Sequence, residues 1–357
     1  MTAVFAIREK IIESDVRAIL ARDLPWRQLS GTRIVVTGAG GFIGGYLVRT
    51  LLALHRLGRV ERPLEVVALV RNVERAKHKL ADCESDPQLS LTQWDLNNIA
   101  VPELGDVHYV IHAASQASPR FYGADPMGTL LPNTVGTAAL LQALRSSSEP
   151  KGLMFVSSSE VYGAVSSEHG LRESDYGTID PVQPRSCYSE SKRAGEAMCV
   201  AFHHQYQIPT WIVRPFHTYG PGLTAEDGRV FADFAYNVAR NEHIVMNSDG
   251  SARRAFCYAS DAVAGFFAVL LRGEPAQPYN VANPSAEMSV MELAELLVAL
   301  FPEKGLQVER RWLADPEGYL RSSVNRIVPD TSRLELLGWR AELSPVDGFR
   351  RMIETLA

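Results

Sequence analysis

Two groups of polar residues in this sequence have the types and the spacing that site chemistry requires. Tyr188 and Lys192 are four residues apart in a segment whose apolar positions recur at helical spacing. A phenol and an ammonium so spaced lie on one face of a helix and can reach a common ligand, although such a pair standing alone is usually a surface contact. Ser158 and Glu160 follow the apolar run 152–157, and polar groups at the carboxyl end of a central parallel strand face the ligand crevice. The sequence therefore offers a candidate site if a sheet and a helix bring the two groups together.

A glycine-rich turn near the start of the chain indicates a second kind of site. The β-branched run 34–37 leads into Gly38, Gly41 and Gly44, and a segment with helical spacing, 46–52, follows at once. One glycine allows a tight turn, one lets backbone N–H groups approach a pyrophosphate, and one lets the helix pack closely on the strand. Free N–H groups and the helix dipole then favour an anion at the helix N-terminus. This arrangement predicts dinucleotide binding.

Strands and helical patterns alternate through the first half of the chain. After the glycine turn we expect β-strands at 64–70, 89–94, 109–114 and 152–157. The helical patterns between them favour right-handed βαβ crossovers and a parallel sheet covered by helices on both faces. We predict a doubly wound α/β (Rossmann) sheet with a smaller, interleaved C-terminal lobe. The predicted divisions are a helical extension at 1–30, a dinucleotide-binding core at 31–185 that also receives segments near 186–215 and 255–285, and a substrate-binding lobe at 216–254 and 286–357.

Composition restricts the classes of partner and location. The 357 residues are 46% hydrophobic, with a net charge of -5 and a pI near 6.0. This balance provides no basic field for nucleic acid, and no apolar run approaches the roughly 18 residues of a membrane span. The four cysteines form no Cys-x-x-Cys pair, and the first residues lack a charged segment followed by an apolar stretch. We expect a cytoplasmic protein with no metal site, no nucleic-acid partner and no membrane contact.

The end of the second strand bears on the choice of dinucleotide. An acidic residue at that place holds the ribose hydroxyls of NAD, whereas an arginine can accommodate the 2′-phosphate of NADP. This chain has Arg71 directly after Val70. We predict NAD as the cofactor and keep NADP open because of Arg71, which could equally be a solvated residue at a strand end.

Together, these motifs resemble the extended short-chain dehydrogenase/reductases that remodel nucleotide sugars, the NAD-dependent epimerase/dehydratase family. The resemblance covers about residues 31 to 350, and the order and spacing of its motifs are specific. Within that family the chain looks most like the UDP-glucuronate decarboxylases. The matching runs are His112–Pro119, Ser157–Gly163, Pro184–Tyr188, Asp227–Val230 and Arg254–Tyr258, which general nucleotide-sugar binding could also explain.

The resemblance implies a set of catalytic roles. Tyr188 would be the general base that takes the sugar O4 proton, and the Lys192 ammonium would lower the pKa of its phenol. Lys192 would also hold the nicotinamide ribose, and Ser158 would hydrogen-bond O4. Glu160 and Arg254 would orient the uronate and manage proton return at C5, with a diphosphate contact as the equal alternative for Arg254.

The resemblance also implies the binding residues. The residues expected around the cofactor are Gly38, Gly41, Phe42, Ile43, Arg71, Asp95, Leu96, Ala113, Ala114, Asn133, Tyr188 and Lys192. The residues expected around the sugar nucleotide are Ser118, Arg185, His217, Arg229 and Arg254. His112 is more consistent with a structural role at a strand end. A homodimer is expected, through the helices after Asn133 and Tyr188.

Two features separate the possible reactions. The 4,6-dehydratases of this family carry an Asp-Glu pair where this chain has Ser159-Glu160, so the proton donor for dehydration is missing. UDP-glucuronate decarboxylases usually carry asparagine where this chain has His217, which places the exact substrate in question. We therefore predict C4 oxidation followed by decarboxylation of UDP-glucuronate to a UDP-pentose or its 4-keto form. The alternatives are an NADPH-dependent 4-ketoreductase, a nucleotide-sugar 4-epimerase and a sensor without catalysis, which the intact tyrosine and lysine disfavour.

Overall fold

A computed structural model of the protein describes residues 3–98, 100, 103–165, 169–311 and 326–356. Of the predicted lobe segment 286–357, residues 312–325 and 357 lie outside that description. The strands are β1 (Arg33–Thr37), β2 (Glu65–Val70), β3 (Leu89–Gln93), β4 (Tyr109–His112), β5 (Gly152–Val156), β6 (Thr210–Pro215), β7 (His217–Tyr219), β8 (Ile244–Met246), β9 (Arg253–Tyr258), β10 (Pro278–Val281), β11 (Glu287–Ser289), β12 (Val308–Arg310) and β13 (Arg326–Ile327). The helices are α1 (Ala3–Ala21), α2 (Phe42–Arg56), α3 (Val73–Lys79), α4 (Arg120–Ala124), α5 (Pro126–Asn133), α6 (Val135–Arg145), α7 (Ser186–Tyr206), α8 (Val230–Ala239), α9 (Ala259–Arg272), α10 (Val290–Ala299), α11 (Ser332–Glu335) and α12 (Pro345–Glu354).

The main sheet has seven parallel strands in the order β10-β6-β5-β4-β1-β2-β3. The apolar runs form central strands because both faces are covered by helices, and β4 and β5 are buried along their whole length. The doubly wound prediction is therefore confirmed. From β1 the strand order runs to β2 and β3 on one side and to β4, β5 and β6 on the other, so the direction of the connections changes between β1 and β4. Ligands bind at such a switch point, outside the carboxyl ends of the strands. Strands β6 and β10 were not assigned from the sequence.

A second layer lies around β9. Strand β9 pairs with β7 and β13 in parallel and with β11 in antiparallel orientation, and β8 pairs with β12. Helices α8, α10 and α12 pack on this layer around an aromatic cluster, in which Tyr219 and Phe349 stack with ring centroids 3.9 Å apart. The layer brings β7 and β9 to the carboxyl end of the main sheet. The domain limits given above stay a prediction.

The N-terminal segment forms a helix, as its periodicity predicts. Helix α1 packs against α2, α9 and α12. Its Asp15 is fully buried and accepts hydrogen bonds from the hydroxyls of Tyr46 and Tyr258, both at 2.8 Å, and from Arg351 at 2.9 Å. Burial raises the pKa of Asp15, and these donors oppose the rise. The contact ties α1 to the glycine-turn helix α2 and to β9. Within the described ranges, no helix is long and apolar enough to cross a membrane, and the cytoplasmic location stays a prediction.

Candidate active site

The glycine turn between β1 and α2 has the strand-turn-helix geometry that the sequence predicts. Gly38 has a φ of +69°, and a Cβ there would lie 2.8 Å from the Ala114 Cα. Gly41 is the N-cap of α2, and a Cβ on Gly44 would overlap the Gly38 carbonyl group. Because Gly41 has no side chain to cap the helix, its first N–H groups remain for an anion, and the cradle fits a pyrophosphate. Two further predicted cofactor residues lie in the first turn of α2, Phe42 and Ile43.

The end of β4 is held against the glycine turn by a short chain of hydrogen bonds. Ala113 and Ala114 follow β4, and the Ala114 N–H donates to Thr37 Oγ1 at 3.1 Å. The Thr37 hydroxyl lies 2.7 Å from His112 Nδ1, and His112 Nε2 lies 3.0 Å from the Pro132 carbonyl, which can only accept. Burial, with the charge of Lys192 adding to it, lowers the pKa of His112 to about 3. Both ring nitrogens bond within the protein, in agreement with the structural interpretation of His112.

The predicted contacts on the adenosine side lie at the ends of β2 and β3. Arg71 is exposed directly after β2, and no acidic residue stands there. Asp95 is exposed after β3, whereas Leu96 is buried against Gly136 of α6, where an added Cβ would lie 2.7 Å from a Leu96 methyl. Arg71 and Asp95 are therefore both exposed to solvent at this edge of the sheet.

Tyr188 and Lys192 lie on one face of α7, beneath the carboxyl end of β5. Both side chains are buried, and the Lys192 Nζ lies 5.8 Å from the centroid of the Tyr188 ring. Lys192 Nζ donates to the Val156 carbonyl at 2.7 Å. Ser158 follows β5 and is the N-cap of a 3-10 turn, Ser159–Tyr162. Its Oγ accepts a hydrogen bond from the Glu160 N–H at 3.2 Å. The predicted catalytic residues thus lie together.

The expected lowering of the Tyr188 pKa is wrong for the protein by itself. Burial raises the pKa of Tyr188 to about 12; a hydrogen bond with Ser158 opposes the rise, Glu160 adds to it, and Arg229 opposes it. Burial also lowers the pKa of the Lys192 amine to about 7. Desolvation therefore outweighs the favourable contacts of the Tyr188 hydroxyl, and added positive charge would favour its phenolate.

Glu160 is engaged by the start of α7. Its Oε2 lies 3.3 Å from Arg185 Nη1 and 3.4 Å from Ser189 Oγ. The side chains of Glu160 and Arg185 are 33% and 28% exposed, so both can still meet a ligand. The structure therefore pairs a predicted catalytic carboxylate with a predicted substrate-binding guanidinium.

Sequence reasoning missed Tyr122 of α4. Its ring stacks on that of Tyr188, with centroids 4.9 Å apart and planes 13° from parallel. The Tyr122 hydroxyl donates to the Ala117 carbonyl at 3.0 Å, and the Arg185 guanidinium carbon lies 5.9 Å from its ring centroid. Tyr122 fixes the plane of the Tyr188 ring and keeps water from one side of it. The signal in the sequence was an aromatic pair, Phe121-Tyr122, just after Ser118-Pro119.

A buried ion pair behind the site was also missed. Arg214 of β6 donates to both carboxylate oxygens of Glu196 on α7, at 2.9 and 2.6 Å, and Ser157 Oγ donates to Glu196 at 2.6 Å. Burial alone would lower the pKa of Arg214, but the hydrogen bond and charge of Glu196 raise it above its ordinary value. The pair joins β6 to α7, which carries Tyr188 and Lys192, and the bond from Ser157 adds the segment after β5 that continues to Ser158.

The lobe contributes the other predicted substrate contacts. Arg229 donates to both oxygens of Asp227, at 2.5 and 2.8 Å. Ser118 lies beside the intervening residue, since a Cβ on Gly228 would be 3.5 Å from Ser118 Oγ. Arg254 on β9 is nearly buried and donates to the Arg253 carbonyl at 2.8 Å. The turn before α8 therefore meets the loop after β4.

Several buried polar atoms around this crevice have no hydrogen-bond partner among the described residues. Buried polar atoms normally have one, so a group of exceptions marks a surface that a ligand completes. One such atom, from Asn133, belongs to the predicted cofactor site, and three more belong to predicted substrate contacts. The atoms are Ser115 Oγ, Ser118 Oγ, Asn133 Oδ1, Arg185 Nε and His217 Nδ1.

The geometry agrees with comparisons to known proteins. The family described as the NAD dependent epimerase/dehydratase family matches residues 34–282. The chain belongs to this family. Its members are nicotinamide-dependent enzymes, and the glycine cradle and the Tyr188–Lys192 pair lie within the matched residues.

Several relatives are similar along most of the chain. UDP-glucuronic acid decarboxylase 6 of Arabidopsis thaliana is 32% identical over 91% of this chain and 89% of its own length. UDP-glucuronic acid decarboxylase 1 of Xenopus tropicalis is 30% identical over 90% of this chain and 71% of its own length. Among solved structures, a dTDP-glucose 4,6-dehydratase of Streptomyces venezuelae with NAD bound has a TM-score of 0.76, is 26% identical, and covers 90% of this chain and 96% of its own. A UDP-glucuronic acid 4-epimerase of Bacillus cereus, 22% identical with a TM-score of 0.75 over 91% and 98% of the chains, shares the fold.

Proposed function

We propose that the protein modifies a nucleotide sugar through C4 oxidation, and that it decarboxylates UDP-glucuronate to a UDP-pentose or its 4-keto form. The observation that carries the proposal is the grouping of Ser158, Tyr188 and Lys192 with Glu160, whose carboxylate lies 3.3 Å from Arg185. Serine stands at 159, where an acid would be needed for dehydration. Relatives named UDP-glucuronic acid decarboxylases align with 91% of the chain.

The first step removes a proton from the O4 hydroxyl and a hydride from C4. Tyr188, as its phenolate, accepts the O4 proton, and Ser158 hydrogen-bonds O4. Lys192 would hold the nicotinamide ribose beside C4. NAD, when bound, supplies the hydride acceptor and the positive charge that favours a phenolate whose pKa is otherwise about 12. The residues that would hold it are those of the glycine cradle together with Asn133.

Decarboxylation then needs little acid or base. With C4 as a ketone, the C5 carboxylate is β to a carbonyl. The bond between C5 and the carboxylate therefore breaks, carbon dioxide leaves, and the electron pair of the broken bond enters the enolate. A proton must return to C5, and we assign this transfer to Glu160, whose charge acts on Tyr188. Arg185 gives up its contact with Glu160 and pairs with the substrate carboxylate, which it orients for departure, since guanidinium groups pair strongly with carboxylates.

Proton NMR of the protein with UDP-glucuronate and NAD tests the proposal. We expect loss of the uronate signals and new C5 methylene signals, and the pentose-to-ketone ratio reports whether the hydride returns. Y188F should abolish turnover, whereas E160Q should slow proton return more than C4 oxidation. Unchanged substrate in the presence of demonstrably bound cofactor would contradict the proposal. Conversion to UDP-galacturonate, without carbon dioxide, would assign the protein as a 4-epimerase.

An NADPH-dependent 4-ketoreductase is the second candidate, and Arg71 favours it. This cation is exposed after β2, and no acidic residue stands there to hold a ribose hydroxyl. Titrating NADH and NADPH against nicotinamide fluorescence separates the two functions. A preference for NADPH that R71A removes would favour the reductase, and cofactor that co-purifies with the protein would favour internal redox chemistry.

We also propose a homodimer, formed through α6 and α7. Helix α7 carries an exposed apolar residue, Val200, at 43% exposure. Light scattering after size exclusion gives the mass directly, and V200R should reduce it to that of one chain if α7 lies in the interface.

A further inference from the structure

A buried carboxylate of the N-terminal helix contacts both the glycine-turn helix and the lobe around β9. Asp15 of α1 is fully buried, and its Oδ2 accepts hydrogen bonds from the Tyr46 and Tyr258 hydroxyls, both at 2.8 Å. Tyr46 lies on α2, and Tyr258 is the last residue of β9. Asp15 Oδ1 accepts a hydrogen bond from Arg351 of α12 at 2.9 Å. One carboxylate therefore links α2 to two elements of the lobe.

The first turn of α2 lies where the core around the main sheet meets the lobe. Phe42 begins this helix, and its ring meets the Tyr46 ring edge-on, with centroids 6.0 Å apart. Phe42 packs against apolar residues of the main core and also against those of the lobe. A Cβ on Gly222, in the loop after β7, would lie 3.5 Å from the Phe42 ring. Tyr46 is one helical turn behind this contact, so its bond to Asp15 supports the junction from behind.

The two predicted ligands depend on this junction to different extents. The glycine cradle for the cofactor belongs to the main core alone. The predicted contacts of the nucleotide sugar come from both sides, with Arg185 at the start of α7 and with Arg229 and Arg254 at α8 and β9. A ligand that contacts two bodies binds more tightly when their relative placement is already fixed, because binding then has less to order.

We propose that Asp15 is a positioning residue, which holds α2 and the lobe in the relative placement that the nucleotide sugar requires. The inference rests on the proposed function for the identity and place of that substrate. Helix α1 precedes the residues that match the family, 34–282, so the link comes from a helix outside them. The bonds are suited to this role because a buried carboxylate makes strong, charge-assisted hydrogen bonds.

Two titrations of the full-length protein test the link. Calorimetry gives the Kd for UDP-glucose, and nicotinamide fluorescence gives the Kd for NADH. We expect Y46F to weaken UDP-glucose binding by roughly fivefold or more, and to change the Kd for NADH by less than about twofold. Y258F should have a smaller effect on UDP-glucose, because Arg351 still ties the lobe to Asp15.

A matched control is available on the edge strand β10. The hydroxyl of Tyr279 is part of a buried side chain and accepts a hydrogen bond from the Glu274 N–H at 2.8 Å. Y279F therefore also removes one hydroxyl bond of a buried tyrosine, but not one that joins α2 to the lobe. Both Y46F and Y279F should lower the urea midpoint. Only Y46F should weaken UDP-glucose binding.

The double variant Y46F/Y258F separates positioning from a purely structural role. Once Y46F has removed the bond to α2, a further loss on the lobe side should not weaken UDP-glucose binding more. Independent structural bonds would instead add their effects. UDP-glucose affinity should therefore be the same in Y46F and in the double variant, even though the double variant has the lower urea midpoint.

Several results would overturn the inference. These are an unchanged UDP-glucose affinity in Y46F, an equal loss of NADH and UDP-glucose affinity, a loss in Y279F as large as in Y46F, and additive losses in the double variant. A wild type that binds NADH but not UDP-glucose would overturn both this inference and the proposed function. The expected affinities without any conversion of UDP-glucuronate would support the inference while the proposed decarboxylation fails, because UDP-glucose binding needs no turnover.

Discussion

The ion pair between Arg214 and Glu196 should be essential to the stability of the catalytic region. Its side chains are only 5% and 12% exposed. Glu196 accepts two bonds from Arg214 and one from Ser157. Arg214 Nη1 also donates to the Tyr162 hydroxyl and the Glu173 carbonyl, both at 3.0 Å. Replacing Arg214 with methionine keeps most of the volume but removes four donated hydrogen bonds at once.

The expected loss follows from the charge that remains. R214M leaves a buried carboxylate without its cation, and breaking a buried pair in this way costs about 3 to 5 kcal/mol of unfolding free energy. The double variant R214M/E196Q removes the charge as well, so we expect it to be more stable than R214M. An exposed pair, Arg17 with Glu13 at 57% and 50% exposure, supplies the control, since R17M should cost less than about 1 kcal/mol.

Urea denaturation followed by circular dichroism measures all four proteins on one scale. We expect the transition midpoint of R214M to fall most, with that of the double variant between R214M and wild type. A cost for R214M no larger than that of R17M would refute the reasoning, as would a double variant no more stable than R214M. Either result would mean that water reaches Glu196 when the guanidinium is removed.

Three further predictions concern the site. G44A should weaken NADH binding by at least about tenfold in a fluorescence titration, because the added methyl overlaps a backbone carbonyl, whereas G123A, whose Cβ meets open space, should bind normally; equal affinity would show that the turn adjusts. Folding lowers the pKa of Lys192 from its ordinary 10.5 to about 7, so between these two pH values the unfolded chain binds more protons than the folded one. The stability of wild type relative to K192M should therefore rise with pH across that window. A difference in urea midpoints that stays constant with pH would contradict this prediction. Y122L should expose one side of the Tyr188 ring, which lowers the pKa of its phenol and moves the acidic limb of the pH profile of kcat/KM to lower pH by on the order of one unit. Y122F should leave that limb unchanged. Identical acidic limbs for Y122L and wild type would exclude the positioning role of Tyr122.

Local patterns predicted the parts of the fold that depend on neighbouring residues. Gly38 and Gly44 are separated by one tight turn, so the strand-turn-helix unit could be recognised from their spacing and from the apolar runs on either side. Tyr188 and Lys192 share a helix face because four residues make about one turn. The family resemblance added candidate roles to these residues, and those roles stay predictions until they are measured.

Contacts between distant segments could not be predicted in this way. The stack of Tyr122 on Tyr188 joins α4 to α7, and the bonds from Tyr46 and Tyr258 to Asp15 join three elements that are far apart along the chain. No periodicity in a single segment encodes such a meeting. The short strand β10 was left unassigned for the same reason, because its pairing with β6 decides its conformation.

The sequence by itself determined the class of the sheet, the dinucleotide cradle and the residue types available for chemistry, because these follow from local spacing and backbone freedom. Only the tertiary structure decided the ionisation of those residues. Burial raises the pKa of Tyr188 and lowers that of Lys192, and it leaves His217 neutral beside two arginines. A side chain's pKa depends on its desolvation and on the charges within a few ångströms, and both are fixed by which distant segments pack around it.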